Sequence, residues 1–227
     1  MPDFSGRELA ARLYPARIVA GDLFDVIWDD TRDTCAVLVA DVAGKGAAAA
    51  MLMPVVQVAV RRLRLQGAPL DEIGAGLNDT VGGLSAAPRL VSLVYLQFDR
   101  RTGDIEYVNM GHPPPVLVTG GSRPTVRWLD VGGPVAGAIE SARYEIGRER
   151  LDAGDTLLLY TDGASEAEND QAEPFAEGRL AAVVSENREQ PPDRVIAAVC
   201  GAVDAFCADP LSRDDMTLLV IRRRQAG

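Results

Sequence analysis

The sequence predicts an α+β fold of four layers, an αββα sandwich in which two antiparallel sheets pack face to face and a helix pair covers each outer surface. The first observation behind this prediction is the order of segments, because strands, two helices, strands, two helices and a strand follow one another along the 227 residues. The second is the composition. With 47% hydrophobic residues the chain can bury one substantial core, and we expect a single domain over residues 1–227.

The predicted strands are short apolar or alternating segments bounded by turn residues. Polar or glycine-containing turns separate three successive pairs of them, which predicts three antiparallel hairpins. The predicted strands are residues 7–19 with an interruption at Pro15, 24–28, 35–40, 90–98, 104–110, 115–119, 125–129, 155–160 and 216–222. The hairpins pair 24–28 with 35–40, 90–98 with 104–110, and 115–119 with 125–129.

Four segments have the 3.6-residue spacing of apolar positions that is typical of helices lying on a sheet. In the second of them, Ile73, Leu77, Val81 and Leu84 form one stripe. Pro54 interrupts the first, because proline lacks a hydrogen-bond donor and clashes with the preceding turn, so this helix is expected to kink or to start anew there. The predicted helices are residues 47–66, a segment that begins at residue 70, 174–187 and 192–207.

The composition excludes several classes of protein. A formal net charge of −10 argues against nucleic acid and anionic membranes as partners. No apolar run is long enough to span a membrane, and the first residues lack the basic and apolar regions of a secretory signal. The single histidine argues against a multi-histidine metal site, and three cysteines without a Cys-x-x-Cys spacing are typical of a reducing compartment. We therefore expect a cytoplasmic protein.

Acidic residues recur where the predicted strands begin or end. The apolar segment 35–40 runs directly into an aspartate followed by a glycine-containing turn, and the segment 155–160 leads into an Asp-Gly pair. One aspartate in such a place is most simply a helix cap, but its repetition in one chain favours a shared site. The acids concerned are Asp22 and Asp25, Asp41, Asp162, and Asp214 with Asp215.

These carboxylates point to a metal-dependent phosphate hydrolase. Carboxylates that converge without compensating Lys or His cannot all stay ionised unless a cation lies among them. Oxygen-only ligand sets suit Mg²⁺ or Mn²⁺, whereas zinc would favour Cys or His. Two such ions about 3.5 to 4 Å apart can bridge a water molecule and activate it for attack on phosphorus. The lone histidine and the lack of a Gly-x-Ser-x-Gly motif argue against a covalent serine mechanism.

Six short motifs give the chain a resemblance to a known family. They are Ala20-Gly-Asp-Leu-Phe-Asp25, Asp41-Val-Ala-Gly-Lys-Gly46, Asn109-Met-Gly-His-Pro-Pro-Pro115, Gly132-Gly-Pro-Val135, Tyr160-Thr-Asp-Gly163 and Arg213-Asp-Asp-Met-Thr217. In this order they resemble the PPM-type (PP2C-like) serine/threonine phosphatases, and specifically the catalytic domain of the RsbU/SpoIIE group of bacterial stress and sporulation signalling. The resemblance covers nearly the whole chain, and it implies an αββα sandwich with a centre of two Mn²⁺ or Mg²⁺ ions.

The resemblance also implies a role for each matching residue. Asp41 would bridge both metals, and Asp22 would hold a metal-bound water at the opposite edge. The implied metal ligands are Asp22, Asp41, Asp162 and Asp214 together with the backbone carbonyl of Val42, and the residues implied to support them are Asp25, Gly163 and Asp215. For Asp25 and Asp215, an ordinary surface or capping role is an equal alternative.

Two further positions are compared with the wider superfamily. Arg17 lies five residues before Asp22, the offset at which eukaryotic members carry a phosphate-binding arginine. It is therefore a candidate phosphate contact, although a lone arginine is more often simply solvated. His112 stands where the superfamily has an aspartate that can bind a third metal. A neutral imidazole would weaken such a site, so His112 is expected to orient a loop through a hydrogen bond.

A phosphatase of this group would act on phosphoserine or phosphothreonine of a regulatory protein. The resemblance implies a phosphorylated STAS-domain anti-anti-sigma factor in a partner-switching cascade, and hence sigma-factor regulation in the stress response. Residues 164–189 would supply a flap that gates the substrate, and an upstream sensor domain, a separate activator or homodimerisation would regulate activity. Two alternatives remain open: a metal-dependent hydrolase of small phosphate esters, and a non-catalytic binding module on the same fold.

Overall fold

Two β-sheets form the centre of the structure. The computed structural model describes residues 7–16, 20–44, 51–83, 90–208 and 214–224. Its strands are β1 (Arg7–Tyr14), β2 (Asp22–Asp29), β3 (Thr34–Val42), β4 (Val91–Asp99), β5 (Asp104–Met110), β6 (Val116–Val118), β7 (Val126–Trp128), β8 (Gly132–Gly133), β9 (Gly147–Arg150), β10 (Thr156–Tyr160) and β11 (Met216–Arg223). Its helices are α1 (Met53–Leu65), α2 (Leu70–Gly82), α3 (Asp162–Ser165), α4 (Ala176–Asn187) and α5 (Pro192–Phe206).

The sheets differ in strand order. The first sheet has the order β2-β3-β4-β5-β8, with β9 also paired to β5, and the second has the order β1-β11-β10-β6-β7. All pairings are antiparallel except that of β5 with β8. In the antiparallel ladders, the start of β2 therefore lies beside the end of β3, and the start of β11 lies near the end of β10.

Three apolar clusters fill the spaces between the layers. Inward-facing residues of both sheets, such as Val39 and Leu159, form the central cluster. The alternate residues of the first sheet, such as Leu38, pack with α1 and α2, and those of the second sheet, such as Leu158, pack with α4 and α5. Because successive side chains of a strand point to opposite faces, each strand serves two clusters. The predicted α+β sandwich of two sheets and flanking helices is confirmed.

The helices differ slightly from their predicted bounds. Pro54 lies in the first turn of α1, where its missing N–H costs little, so the proline marks a start and not a kink. Residues 47–50, predicted as the beginning of this helix, lie outside the described residues, as does Leu84 of the predicted stripe on α2. The other members of that stripe, Ile73, Leu77 and Val81, are buried as expected. Among the helices of the described residues, none has the length and apolar content that crossing a bilayer requires.

Two strands and one short helix were not predicted. β8 contains only two glycines, and Gly132 lies so close to Asn109 of β5 that an added Cβ would fall 1.7 Å from its carbonyl oxygen. β9 has the polar sequence Gly-Arg-Glu-Arg, which lacks the apolar alternation of a strand. β8 and β9 therefore form because they pair with β5 and not because their own sequences favour strands.

Candidate metal centre

Three polar residues lie side by side across the first sheet. Asp22 of β2 is opposite Asp41 of β3, and Asp41 is opposite Ser92 of β4. In each strand, the residue two positions away lies in or against the central cluster. Residues two apart in a strand share a face, so all three polar residues face the second sheet. The row lies where β3 ends, which places it at one end of the space between the sheets.

The second sheet contributes two threonine hydroxyls to this row. Thr161, which follows β10, and Thr217 of β11 each donate a hydrogen bond of 2.7 Å to Oδ2 of Asp22. The two threonines are also joined, because the Thr217 N–H donates to Oγ1 of Thr161 at 2.8 Å. Asp22 is buried, and one of its oxygens is thus fully engaged. These bonds tie the two sheets together beside the acidic residues.

The carboxylates of the two sheets act on one another. The pKa of Asp41 is raised to about 7, first by burial and then by the charges of Asp162 and Asp214. The pKa of Asp22 is raised to about 8. Burial and, more weakly, the charges of Asp41 and Asp215 raise it, and the two threonine hydroxyls lower it. The structure therefore brings Asp22, Asp41, Asp162 and Asp214 into one electrostatic neighbourhood.

Asp215 holds the chain segment that leads into β2. Its Oδ1 accepts a hydrogen bond of 2.7 Å from the Ala16 N–H, and its Oδ2 accepts one of 2.6 Å from the Gly21 N–H. A Cβ added to Gly21 would lie 3.6 Å from Oδ1 of Asp41, so this segment borders the acidic group. Asp215 thus has the contacts that a supporting residue needs, and its role in metal binding stays a prediction.

Gly163 allows a close backbone contact beside the predicted ligands. It lies in α3, directly after Asp162, and a Cβ at this position would fall 2.1 Å from the carbonyl oxygen of Asp215 and 3.1 Å from that of Asp214. Any side chain would separate the end of β10 from the residues that lead into β11. The glycine is therefore required by the geometry that places Asp162 near Asp214.

Asp25 does not join this group. It lies three residues beyond Asp22 on β2 and so points to the opposite face of the sheet. There it accepts hydrogen bonds of 2.8 and 2.6 Å from the guanidinium of Arg61 on α1. The predicted support of the metal ligands by Asp25 does not fit this position, and its contacts are those of an anchor for α1.

Replacing Arg61 with methionine is expected to destabilise the fold without affecting the acidic centre. The Asp25 carboxylate is buried and would lose both of its charge-assisted bonds, so we expect the free energy of unfolding to fall by about 1–3 kcal/mol. Urea unfolding measures this change. If Asp25 instead supports the metal site, Arg61→Met would alter Mn²⁺ affinity more than it alters stability.

The remaining predicted residues are Val42, Arg17 and His112. Val42 ends β3 and is buried in the cluster beneath α1 and α2, and the role of its carbonyl stays a prediction. Arg17 lies outside the described residues. His112 is buried, and its Nδ1 lies 2.9 Å from Oγ of Ser92. It therefore has the kind of hydrogen bond expected from the sequence.

Sequence reasoning missed three polar residues of the centre: Thr161, Thr217 and Ser92. The two threonines were within reach, because Thr161 precedes Asp162 and Thr217 follows Asp215 by two residues inside quoted motifs. Their common bond to Asp22 depends on the way the sheets pack, which the motifs do not encode. Ser92 lies in a mostly apolar strand, and only the strand register shows that it is opposite Asp41.

The donor set fits a hard divalent cation. The converging side chains are carboxylates, and the raised pKa values of Asp22 and Asp41 reflect buried, mutually repelling charges that a dication would stabilise in their ionised form. In the part of the chain that the structure describes, no three His, Cys, Asp or Glu side chains are arranged so that they could hold a metal ion.

The metal-free protein is expected to lose stability as the pH rises from about 6.5 to 8. The pKa values of Asp22 and Asp41 are raised from 3.8 to about 8 and about 7. Their contribution to folding stability is therefore fully present below pH 3.8 and is lost as the pH rises through their pKa values in the folded protein. The pKa of His112 is lowered from 6.5 to about 4, so this residue makes stability rise with pH between about 4 and 6.5. Above pH 6.5 it has little effect.

Melting temperatures measured in the presence of a chelator test this dependence. Asp22→Asn should flatten the curve above pH 6.5, because the amide oxygen keeps the threonine bonds without the charge. Saturating Mn²⁺ should raise the melting temperature most at pH 8. A melting temperature of the metal-free wild type that is level or rises over this range would contradict the expectation.

Comparison with known proteins assigns the chain to a family. The model of the Stage II sporulation protein E (SpoIIE) family matches residues 31–224. The chain belongs to the SpoIIE family. Phosphoserine phosphatase RsbU of Bacillus subtilis (strain 168) is 24% identical to this chain over 225 residues. The match covers 99% of this chain and 65% of RsbU. This SpoIIE-family chain spans 36% to 65% of the length of three curated relatives that it matches.

Solved structures place this SpoIIE-family chain in the PP2C fold. The structure of the RsbU and RsbW domains of Rv1364c from Mycobacterium tuberculosis has a TM-score of 0.82 and 25% identity, covering 98% of this chain and 61% of that one. The catalytic domain of the serine threonine protein phosphatase PstP, solved in complex with 2 manganese ions, has a TM-score of 0.63 and 17% identity, covering 96% and 99% of the two chains. This second likeness shows the fold alone. The resemblance predicted from the six motifs is confirmed.

Proposed function

We propose that this chain is a metal-dependent protein phosphatase that hydrolyses phosphoserine or phosphothreonine on a regulatory protein. The observation that carries the proposal is the approach of Asp22 and Asp41 from the first sheet to Asp162 and Asp214 from the second, where the charges of the latter pair act on Asp41. Membership of the SpoIIE family and the match to phosphoserine phosphatase RsbU support it.

The proposed metal site holds two Mn²⁺ or Mg²⁺ ions between the sheets. Asp41 would be a ligand shared by both ions, Asp162 and Asp214 would help to hold one of them, and the Val42 carbonyl would help to hold the other. The ions would supply an activated water and neutralise charge on the phosphoryl group. The binding of two manganese ions by PstP, which has the same fold, supports this choice of metal.

The protein's own residues fix where those ligands stand. The Thr161 and Thr217 hydroxyls hold one oxygen of Asp22, which leaves its other oxygen to orient water at the edge of the site. Gly163 allows the backbone beside Asp162 to approach that of Asp214 and Asp215. With water as the proposed nucleophile, the hydrolysis would need no covalent intermediate. The described residues thus supply orientation and negative charge to the proposed site.

The proposed substrate is a phosphorylated STAS-domain protein of a partner-switching cascade. RsbU is named a phosphoserine phosphatase, and in Rv1364c an RsbU domain occurs together with an RsbW domain, which supports a regulatory phosphoprotein as the substrate. The predicted flap, residues 164–189, contains the helix α4 as well as the loop over residues 166–175 that follows α3. We propose that this loop contacts the substrate. An edge-to-face contact of Phe175 with Phe206, with ring centroids 5.3 Å apart, joins this loop to α5. Regulation by an upstream sensor domain, a separate activator or homodimerisation belongs to the same proposal.

Phosphate release from a phosphorylated STAS protein of the source organism tests the substrate. With Mn²⁺ present, the chain should release phosphate from that protein and also hydrolyse p-nitrophenyl phosphate, and a chelator should abolish both reactions. Hydrolysis of the small ester without release from any STAS phosphoprotein would favour the small-ester hydrolase. Failure of both reactions, with Mn²⁺ bound, would favour the non-catalytic binding module.

A further inference from the structure

His112 is buried between the two sheets at the edge of the acidic centre. The residue is 5% exposed, and its Nδ1 shares a hydrogen bond of 2.9 Å with Oγ of Ser92. Nε2 is buried and has no partner with hydrogen-bond geometry among the described residues, although the Tyr160 carbonyl is close enough to act on the ring. The imidazole thus lies between β4 and the end of β10, the strand that leads to Asp162.

Asn109 fixes the backbone of His112. The Asn109 side chain accepts a hydrogen bond of 2.7 Å from the His112 N–H and donates one of 2.9 Å to the His112 carbonyl. Its amide also donates to the Leu129 carbonyl at 3.3 Å. Gly111, between them, has a φ of +65°, which favours glycine. These contacts define a rigid turn that sets the position of the imidazole.

Ser92 connects this turn to the central acid. It is directly opposite Asp41 in the ladder of β3 and β4, and side chains opposite one another in such a ladder have Cβ atoms about 4.5–5.5 Å apart. Both face the second sheet. A hydroxyl held by His112 therefore stands beside the carboxylate that the proposed function makes the shared metal ligand.

We propose that His112 is a positioning residue for divalent-metal binding. It holds the Ser92 hydroxyl in place beside the Asp41 carboxylate. This inference rests on the proposed function, and it assigns a task to the Asn-Met-Gly-His motif that the metal ligands leave unexplained. Residues that orient metal ligands by hydrogen bonding typically change metal affinity or activity by about 10- to 100-fold when they are lost.

The protonation state of His112 agrees with such a role. Burial lowers its pKa to about 4, and the backbone carbonyls of Tyr160 and Ser92 oppose this shift. Near pH 7 the ring is therefore neutral and adds no positive charge that would compete with a cation. A histidine that only fills space would need neither the bond to Ser92 nor the clamp by Asn109, so the two roles can be separated by experiment.

The test compares two substitutions of nearly equal shape. His112→Asn keeps a polar group close to the position of Nδ1, whereas His112→Leu does not. Mn²⁺ affinity is measured by calorimetry, and kcat and KM are measured with p-nitrophenyl phosphate. We expect His112→Leu to weaken Mn²⁺ binding by about 10-fold or more and His112→Asn to restore most of this loss. In both variants KM at saturating Mn²⁺ should change little, because His112 is not proposed to contact the substrate.

Ser92→Ala is the second variant and keeps the test decisive if His112→Leu does not fold. By itself, Ser92→Ala should weaken Mn²⁺ binding, and this single result tests the inference if His112→Leu does not fold. If His112→Leu folds, the loss in the double variant Ser92→Ala/His112→Leu should be smaller than the sum of the single losses, because both changes remove the same bond. Additive losses, or equal Mn²⁺ affinities of the Asn and Leu variants, would overturn the inference.

The result separates this inference from the proposed function. An active wild type whose Ser92→Ala and His112→Leu variants bind Mn²⁺ normally would refute the positioning role and leave the phosphatase standing. A wild type that binds Mn²⁺ but hydrolyses no phosphate ester or phosphoprotein would refute the phosphatase, and the coupling of Ser92 and His112 in Mn²⁺ affinity would still decide the inference. A wild type that binds no Mn²⁺ overturns both.

Discussion

Replacing Asp41 with asparagine is expected to lower kcat/KM for Mn²⁺-dependent phosphate hydrolysis by at least about 10³-fold, equivalent to about 4 kcal/mol of transition-state stabilisation. Asp41 lies at the centre of the row across the first sheet, and the charges of Asp162 and Asp214 act on it. In the proposed site it would be a ligand of both ions. An amide would remove a negative ligand from both of them at once, whereas loss of Asp162 or Asp214 would affect one.

The same substitution should not destabilise the metal-free fold. The pKa of Asp41 is raised to about 7 by burial and by neighbouring acids, so ionisation of this carboxyl opposes folding at neutral pH and above. Asp41→Asn removes that cost, and we expect the melting temperature at pH 8 in the presence of a chelator to be unchanged or higher than that of the wild type.

Asp71→Asn provides a matched control for Asp41→Asn. Asp71 is an exposed acid in the first turn of α2, and its replacement should alter neither hydrolysis nor Mn²⁺ affinity measurably. Calorimetry with Mn²⁺ shows whether the loss in Asp41→Asn begins with metal binding. If Asp41→Asn retained more than about one tenth of wild-type kcat/KM, the shared-ligand role would be contradicted. Loss of a ligand of both ions should reduce activity much more than this.

The layers of the fold could be predicted from the sequence because each depends on local periodicity. The run from Cys35 to Ala40 is apolar at every position, and the structure buries all of it, with alternate residues in two different clusters. The stripe of Ile73, Leu77 and Val81 likewise specifies the buried face of α2. Such patterns are read within one element, and no knowledge of its neighbours is needed.

The candidate site was predictable only where a motif names its residues. Asp22, Asp41, Asp162 and Asp214 were found because acids at strand ends recur in recognisable motifs. A motif does not show the face to which each acid points. Asp25 belongs to the same motif as Asp22, but a spacing of three places it on the opposite side of the strand, against Arg61. The bonds from Thr161 and Thr217 to Asp22 join residues 139 and 195 positions apart, and only the packing of the two sheets determines them.

Replacing Gly163 with alanine is expected to damage both stability and the centre. The new Cβ would fall 2.1 Å from the Asp215 carbonyl oxygen, far inside van der Waals contact, and the obstacle is backbone that no side-chain rotation can clear. We expect the free energy of unfolding to fall by about 1–3 kcal/mol. We also expect Mn²⁺ affinity or activity to fall by about 10- to 100-fold, because the Asp214 and Asp215 backbone must move away from Asp162. Urea unfolding and Mn²⁺ calorimetry measure the two effects.

Gly201→Ala separates this local clash from the general effect of adding a methyl group to a glycine. Gly201 lies within α5, and a Cβ there has nothing within 4 Å, so alanine should stabilise the protein by about 0.5–1 kcal/mol through helix propensity and leave Mn²⁺ binding unchanged. The two variants should therefore move stability in opposite directions. If Gly163→Ala kept wild-type stability and Mn²⁺ affinity, the close approach of α3 to the start of β11 would not be what brings Asp162 to Asp214, and the metal centre would have to be held together in another way.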